Sequence, residues 1–194
     1  MPKIVDHAQR HNRIGAAACV VLDREGHQGL SVRAVAREAG MALATAQHYA
    51  PTREAMMNAA MDSLEQRVIA RAREIDPEVP HLDTVRAALL ELLPLDDDRR
   101  FECRVWLALT AAAMTEPSVA RRLESSESQL LANLERLVAQ AHPAADRVAA
   151  AGSLTTVTTG LTVRMLTTGL SDTAAREEID HALKRWVVEG DRRG

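Results

Sequence analysis

The sequence predicts an all-α protein of about nine helices: three short ones at the front, one connector and five in a larger bundle. Three observations predict it. Ala, Leu, Arg and Glu dominate, aromatics make up 2% of the 194 residues, and β-branched runs are short, a composition that favours helix over strand. Apolar residues recur at helical spacing in the first and last segments. Glycine and proline punctuate the chain at intervals that leave segments long enough to be stable once packed. With 46% hydrophobic residues a core can be filled without disulfides.

Each element has its own signal. Ile14, Ala17, Ala18, Val21 and Leu22 form the i, i+3, i+4, i+7, i+8 stripe of a first amphipathic helix, which should end near Arg24 because "EGHQG" supplies two glycines. Ser31 is an N-cap for a second helix with Val32, Val35, Ala36 and Ala39 turned inward, and Gly40 breaks it. A third short helix runs from about Ala42 to Tyr49, and Pro51 ends it. Thr52 caps a fourth, to about Arg73. Breaks follow at 76–81, 93–98, 115–118, 142–146 and 167–172, with five helices between and after them. The last repeats the first stripe as Ile179, Ala182, Leu183, Trp186 and Val187, and "EGDRRG" is expected to fray.

The two cysteines, Cys19 and Cys103, lie far apart without a metal or redox spacing and read as reduced core thiols. No apolar run approaches the ~20 residues that span a bilayer. The N-terminus "MPKIVDHAQRHNR" lacks a secretion segment, so a soluble, cytoplasmic protein with no membrane partner is expected. Net charge is −3, unevenly placed. Residues 1–56 hold seven Lys/Arg against five Asp/Glu, whereas the remainder holds 17 against 22. Four of the seven histidines also fall in that first segment. A mildly basic head on an acidic body suits a head that meets phosphate.

The third helix, "ALATAQHY", carries almost no large aliphatic residues and is a poor core helix. A helix, a glycine-containing turn and a second helix make a helix-turn-helix, whose second helix is displayed in the DNA major groove. Such a helix must expose small and polar groups. Leu43, Ala44, Thr45, Gln47, His48 and Tyr49 supply apolar contact, hydroxyls, an amide and an imidazole. Glutamine is suited to bidentate pairing with adenine, and Thr or Ala to the thymine methyl. Arg33 and Arg53 flank this helix, and each could neutralise a phosphate. Any two short helices around a glycine give the same pattern, so the pattern alone leaves DNA binding open.

Residues 10–57 resemble the N-terminal domain of TetR-family transcriptional regulators. The likeness is carried by the amphipathic first helix, the Gly26, Gly29, Leu30 junction, "SVRAVAREAG", a helix ending in "HY", and then "PTREAM" where the family shows Pro-Ser-Lys-Glu-x-Leu. The resemblance implies that Arg33, Thr45, His48, Tyr49 and Arg53 contact the DNA backbone, and that Leu43, Ala44 and Gln47 face base edges. It also implies a DNA-binding domain over residues 1–51, followed by a connector helix and a ligand-binding, dimerising bundle over 52–194. Three departures matter. Ala42 stands where the family often has a capping Ser, a loss of about 1 kcal/mol. Ala46 and Ala50 replace a large aliphatic and an aromatic. Gln47 replaces a common aromatic, so no family operator can be borrowed. Further on, "LLELLPLDDDRRFECRVWLAL" (89–109) resembles the regulatory domain of the BetI-like subgroup in its Leu-Pro-Leu-Asp, Arg pair and Arg-Val-Trp.

The last two helices, about 144–168 and 173–189, carry a small-residue face (Ala149, Gly152, Gly160) and an apolar stripe (Ile179, Leu183, Trp186) that two copies could join as a four-helix interface. Within one subunit the same stripes would simply pack as core. A dimer is expected, because one short reading helix recognises few base pairs. A small-molecule effector would lie between helices of the bundle, with Trp106, Leu109, Met114 and Met165 as candidate walls and Arg104 as a polar contact. By shifting the connector it would release a repressor from a palindromic operator. So few aromatics argue against an aromatic cage for a quaternary ammonium, and choline is not inferred.

No cofactor or metal is expected. His7 and His11 are spaced i, i+4 but precede the first stripe, where an arm touching DNA is the better reading. "DDD" (96–98) reads as helix cap and dipole charge. There is no Gly-rich phosphate loop, HExxH or nucleophile elbow, so an enzyme is not expected. A DNA-binding repressor or architectural factor without a ligand remains the alternative.

Overall fold

Serine, threonine and aspartate caps start most of the helices. The structure, a computed structural model, describes residues 3–75 and 80–189. Among these residues there is no strand, and the order is α1 (Lys3–Gly29), α2 (Val32–Glu38), α3 (Leu43–Tyr49), α4 (Arg53–Ala72), α5 (His81–Leu90), α6 (Asp97–Ala113), α7 (Pro117–Ala141), α8 (Arg147–Thr167) and α9 (Asp172–Leu183), continued by a π-helical turn, Lys184–Val188. Ser31, Asp146 and Ser171 accept from the amides of Ala34, Ala149 and Ala174. Thr52 Oγ1 accepts from the Ala55 amide at 3.0 Å. Asp96 Oδ1 accepts from the Arg99 amide at 2.7 Å, and this bond with the adjacent guanidinium holds the Asp96 carboxyl below the usual carboxylate range. The break expected at 76–81 and the frayed tail fall largely outside the described residues.

The first helix differs from expectation. It is 27 residues long and passes Arg24, interrupted only at Gly26, where φ is 67° and ψ −176°. Gly29, the other glycine of "EGHQG", stays helical. One glycine with positive φ is enough to kink the chain here.

Packing groups the chain into two compact units, one of Met1–Arg67 with Arg104–Glu124 and one of Val68–Cys103 with Ser125–Gly194. In the first, α1 packs against α2 and α3. Its stripe is buried as spaced, with Ile14, Ala18 and Val21 at 0% exposure. Gly15 lets α1 approach α4 closely, since a Cβ there would stand 2.4 Å from the Ala59 carbonyl oxygen. Ion pairs join its helices: Arg104 forks onto Asp23 at 2.5 and 3.1 Å, and Arg122 reaches Asp62 at 3.0 Å and Glu65 at 2.7 Å.

In the second unit, Leu89, Leu93, Leu134, Val138, Leu154, Met165, Ile179, Leu183 and Val187 form one core cluster. Beside it, Arg71 donates from Nη1 and Nη2 to both oxygens of buried Glu102 (2.9 and 2.6 Å) and from Nε to Glu91 at 2.7 Å. Arg99 closes the group on Glu91 and Asp96. Both cysteines are buried thiols. Burial pushes the Cys103 thiol up to about 12.

Candidate nucleic-acid interface

The turn between α2 and α3 is fixed by backbone geometry. Gly40 has φ 58°, its amide donates to the Arg37 carbonyl (3.2 Å), and the Met41 amide donates to the Ala36 carbonyl (2.9 Å). This is a Schellman motif with glycine at the left-handed position. Ala42 then opens α3 without a side-chain cap bond, consistent with the missing serine. Two methyl groups, Ala46 at 1% exposure and Ala50 at 2%, dock α3 on the head. The other face is open. Leu43, Ala44, Gln47 and His48 are exposed, Thr45 and Tyr49 half-buried, and Arg33 and Arg37 exposed on α2.

Tyr49 is held from two sides. Its ring meets His7 edge-on (centroids 4.7 Å) and His48 (5.1 Å), and the Arg10 guanidinium lies 5.9 Å from its centroid. The start of α1 therefore braces the end of α3, a contact the sequence did not reveal for His7. The signal available was Tyr49 as the sole aromatic of the head. His11, by contrast, reaches Asp62 at 3.4 Å.

Arg53 sits differently from a free phosphate contact. Its Nε donates to Glu116 Oε1 at 3.0 Å, Nη1 donates to the Leu30 carbonyl at 3.1 Å, and Nη2 donates to the His27 carbonyl.

The candidate ligand residues have mixed surroundings. In the first unit Leu109 is buried and Trp106 half-buried, but Met114 is 84% exposed and Arg104 is paired with Asp23. Met165 is core of the second unit. Of the candidate dimer residues, Ile179 (0%) and Leu183 (4%) are not on an outer face: they fill the second unit's own core, because the apolar stripe of α9 is spent on α5 and α8. Ala149 and Gly160 are exposed, and Gly152 and Trp186 half-buried. Ala149, Gly152, Val157 and Trp186 line part of an open groove of ≈ 420 Å³. Among the described residues, no cluster of three or more His, Cys, Asp or Glu could hold a metal ion, and no helix is long and apolar enough to cross a membrane.

The family model for the C-terminal domain of BetI-type transcriptional repressors matches residues 81–189. The chain belongs to the TetR family. Within it, the chain is 29% identical over 140 residues to the transcriptional regulator PksA of Bacillus subtilis, covering 72% of this chain and 67% of that one. It is 29% identical over 137 residues to the regulator BetI of Stenotrophomonas maltophilia, covering 69% of each. Its fold matches a transcriptional regulator from Rhodococcus sp. Rha1 with TM-score 0.83 and 26% identity, over 93% and 97% of the two chains. It also matches a regulator from Saccharomonospora viridis solved in complex with choline, with TM-score 0.75, 17% identity and 90% and 94% coverage, a likeness of fold alone. This TetR-family chain is thus a transcriptional regulator of BetI type, and regulators of the family bind DNA operators as dimers and respond to small-molecule effectors.

Proposed function

We propose that this TetR-family regulator is a homodimeric repressor that reads a palindromic operator with two copies of α3 and releases it when a small molecule binds its helical bundle. The observation that carries the reading is the division of α3 into a docked face, Ala46 and Ala50, and an open face, Leu43, Ala44, Gln47 and His48. Leu43, Ala44 and Gln47 face base edges. Arg33, Thr45, His48 and Tyr49 meet the backbone, with Tyr49 steadied by His7 and Arg10. Release is a population shift: the effector must prefer the DNA-incompetent state by ~1.4 kcal/mol for each tenfold of induction.

Selection of bound duplexes from a random library tests the reading. The expected product is a palindrome whose half-sites lie one helical turn apart, ~34–36 Å; failure to enrich any sequence sinks the proposal. On the selected duplex, Gln47→Ala should relax preference at one position by roughly 1–3 kcal/mol. Unchanged preference there would remove Gln47 from the base-reading set. Titrating the complex with candidate metabolites separates a sensor, which must change its affinity, from a ligand-independent repressor.

The α8 face of Ala149, Gly152 and Gly160, with Trp186, is proposed as the dimer contact. Glycine inside a helix costs about 1 kcal/mol relative to alanine, yet a Cβ at Gly152 or Gly160 would meet nothing within 4 Å in this chain. A partner backbone approaching that face accounts for both glycines. Gly152→Glu should therefore leave the subunit's helicity intact but convert dimer to monomer in sedimentation. A variant that stays dimeric places the interface elsewhere.

A further inference from the structure

We propose that Arg53 and Glu116 form a positioning pair for the reading head, and that Arg53 is not a phosphate contact; this rests on the DNA-binding reading above. Arg53 is the first residue of α4. A helix end leaves carbonyls that intrahelical bonding does not fully use, and Arg53 takes that of His27 in the last turn of α1 and that of Leu30 just beyond it. The next residue, Ser31, is the N-cap of α2. The guanidinium thus pins the peptide that joins α1 to α2 and sets where α2, its glycine turn and α3 begin.

Glu116 orients the guanidinium. Its carboxylate takes the Nε proton at 3.0 Å, and its own carbonyl accepts from the amides of Val119 and Ala120, so its backbone is part of the start of α7. Both side chains are largely covered, at 34% and 27% exposure. A planar guanidinium holds three acceptors in fixed directions, as an ammonium cannot. With its charge already matched by a carboxylate, it has little left to release counterions from DNA. A position that the family resemblance assigns to the backbone of DNA is here turned inward.

The charge of Glu116 gives the test its sign. Removing an acid from a DNA-binding protein ordinarily tightens DNA binding, whereas removing a positioning residue loosens specific binding. Full-length wild type, Glu116→Gln, Arg53→Ala and the double variant are titrated at several salt concentrations. The probes are a duplex that the wild type selects from a random library and a scrambled duplex of the same composition; thermal melts accompany each. We expect Glu116→Gln, which is isosteric, to lose about tenfold on the selected duplex and none on the scrambled one, so that their ratio falls. Arg53→Ala should lose as much with an unchanged salt slope, and the double variant should be no worse than either single one. A loss of folding alone would not change that ratio.

Glu116→Gln binding both duplexes as well as or better than wild type would overturn the pair. So would Arg53→Ala weakening both duplexes alike with a salt slope reduced by about one, the mark of a lost phosphate contact. Either result from a wild type that binds its duplex overturns this proposal alone. A wild type that selects nothing overturns the DNA-binding reading as well.

Discussion

Arg71→Ala is expected to destabilise the folded chain by about 3 kcal/mol, lowering its melting midpoint by roughly 6–12 °C. Arg71 places three of its donors on two carboxylates, Glu102 through a fork and Glu91 through Nε. Glu102 is 6% exposed, so the variant takes the fork away from a carboxylate that water hardly reaches. Breaking such a pair costs more than forming it gains, because the desolvation of the surviving charge loses the fork that offset most of it. The bond to Glu102 is also the main reason the Arg71 guanidinium is held above its ordinary pKa. A base with a raised folded pKa contributes its stability throughout the range below its ordinary value, and loses it only as pH climbs beyond. The deficit of Arg71→Ala should therefore be the same at pH 7 and pH 9 in denaturant titrations. Arg71→Lys should fall between, keeping the charge without the fork. A variant within ~0.5 kcal/mol of wild type, the range of an ordinary surface substitution, would show that Glu102 is stabilised by something else.

The second large effect is Ile179→Ala, about 2–5 kcal/mol. Ile179 is fully buried in the second unit's core cluster with Leu89, Leu154 and Leu183. Truncation removes apolar contact and leaves a cavity that the surrounding helices close only in part. Its stripe on α9 also suited a dimer seam, and the two roles predict different experiments. A core residue lowers stability at any protein concentration, whereas a seam residue mainly shifts the monomer–dimer balance. Equal stability for wild type and variant under monomeric conditions would return Ile179 to the interface.

Much of the fold was legible because its signals are local. Ser31 and Thr52 cap helices where their sequence neighbours say they should, and Gly40 takes the left-handed conformation that ends α2. The family showed in the same way, through short motifs at fixed spacing. What escaped the sequence depends on partners distant in the chain. Arg53 could be placed at a helix start, but its acceptors, the carbonyls of His27 and Leu30, lie 26 and 23 residues back around the end of α1, and Glu116 comes from 63 residues ahead. A stripe such as Ile179 and Leu183 reveals which side of a helix is apolar and not whether that side meets its own chain or another. Met114, expected in a cavity wall, lies open in the turn just after α6, where helical spacing no longer says which way a side chain faces.

The two methyl groups that seat α3 have a consequence for how such a regulator can change over generations. On the proposed reading, support and recognition fall on different side chains: Ala46 and Ala50 keep the helix in place, while the exposed Leu43, Ala44, Gln47 and His48 share little of that burden. On the proposed assignment, substitutions at Leu43, Ala44 and Gln47 alter the preferred sequence with little loss of folding stability. A duplicated copy could drift to a new operator before its fold is threatened, and a designer could exchange those three positions as a cassette.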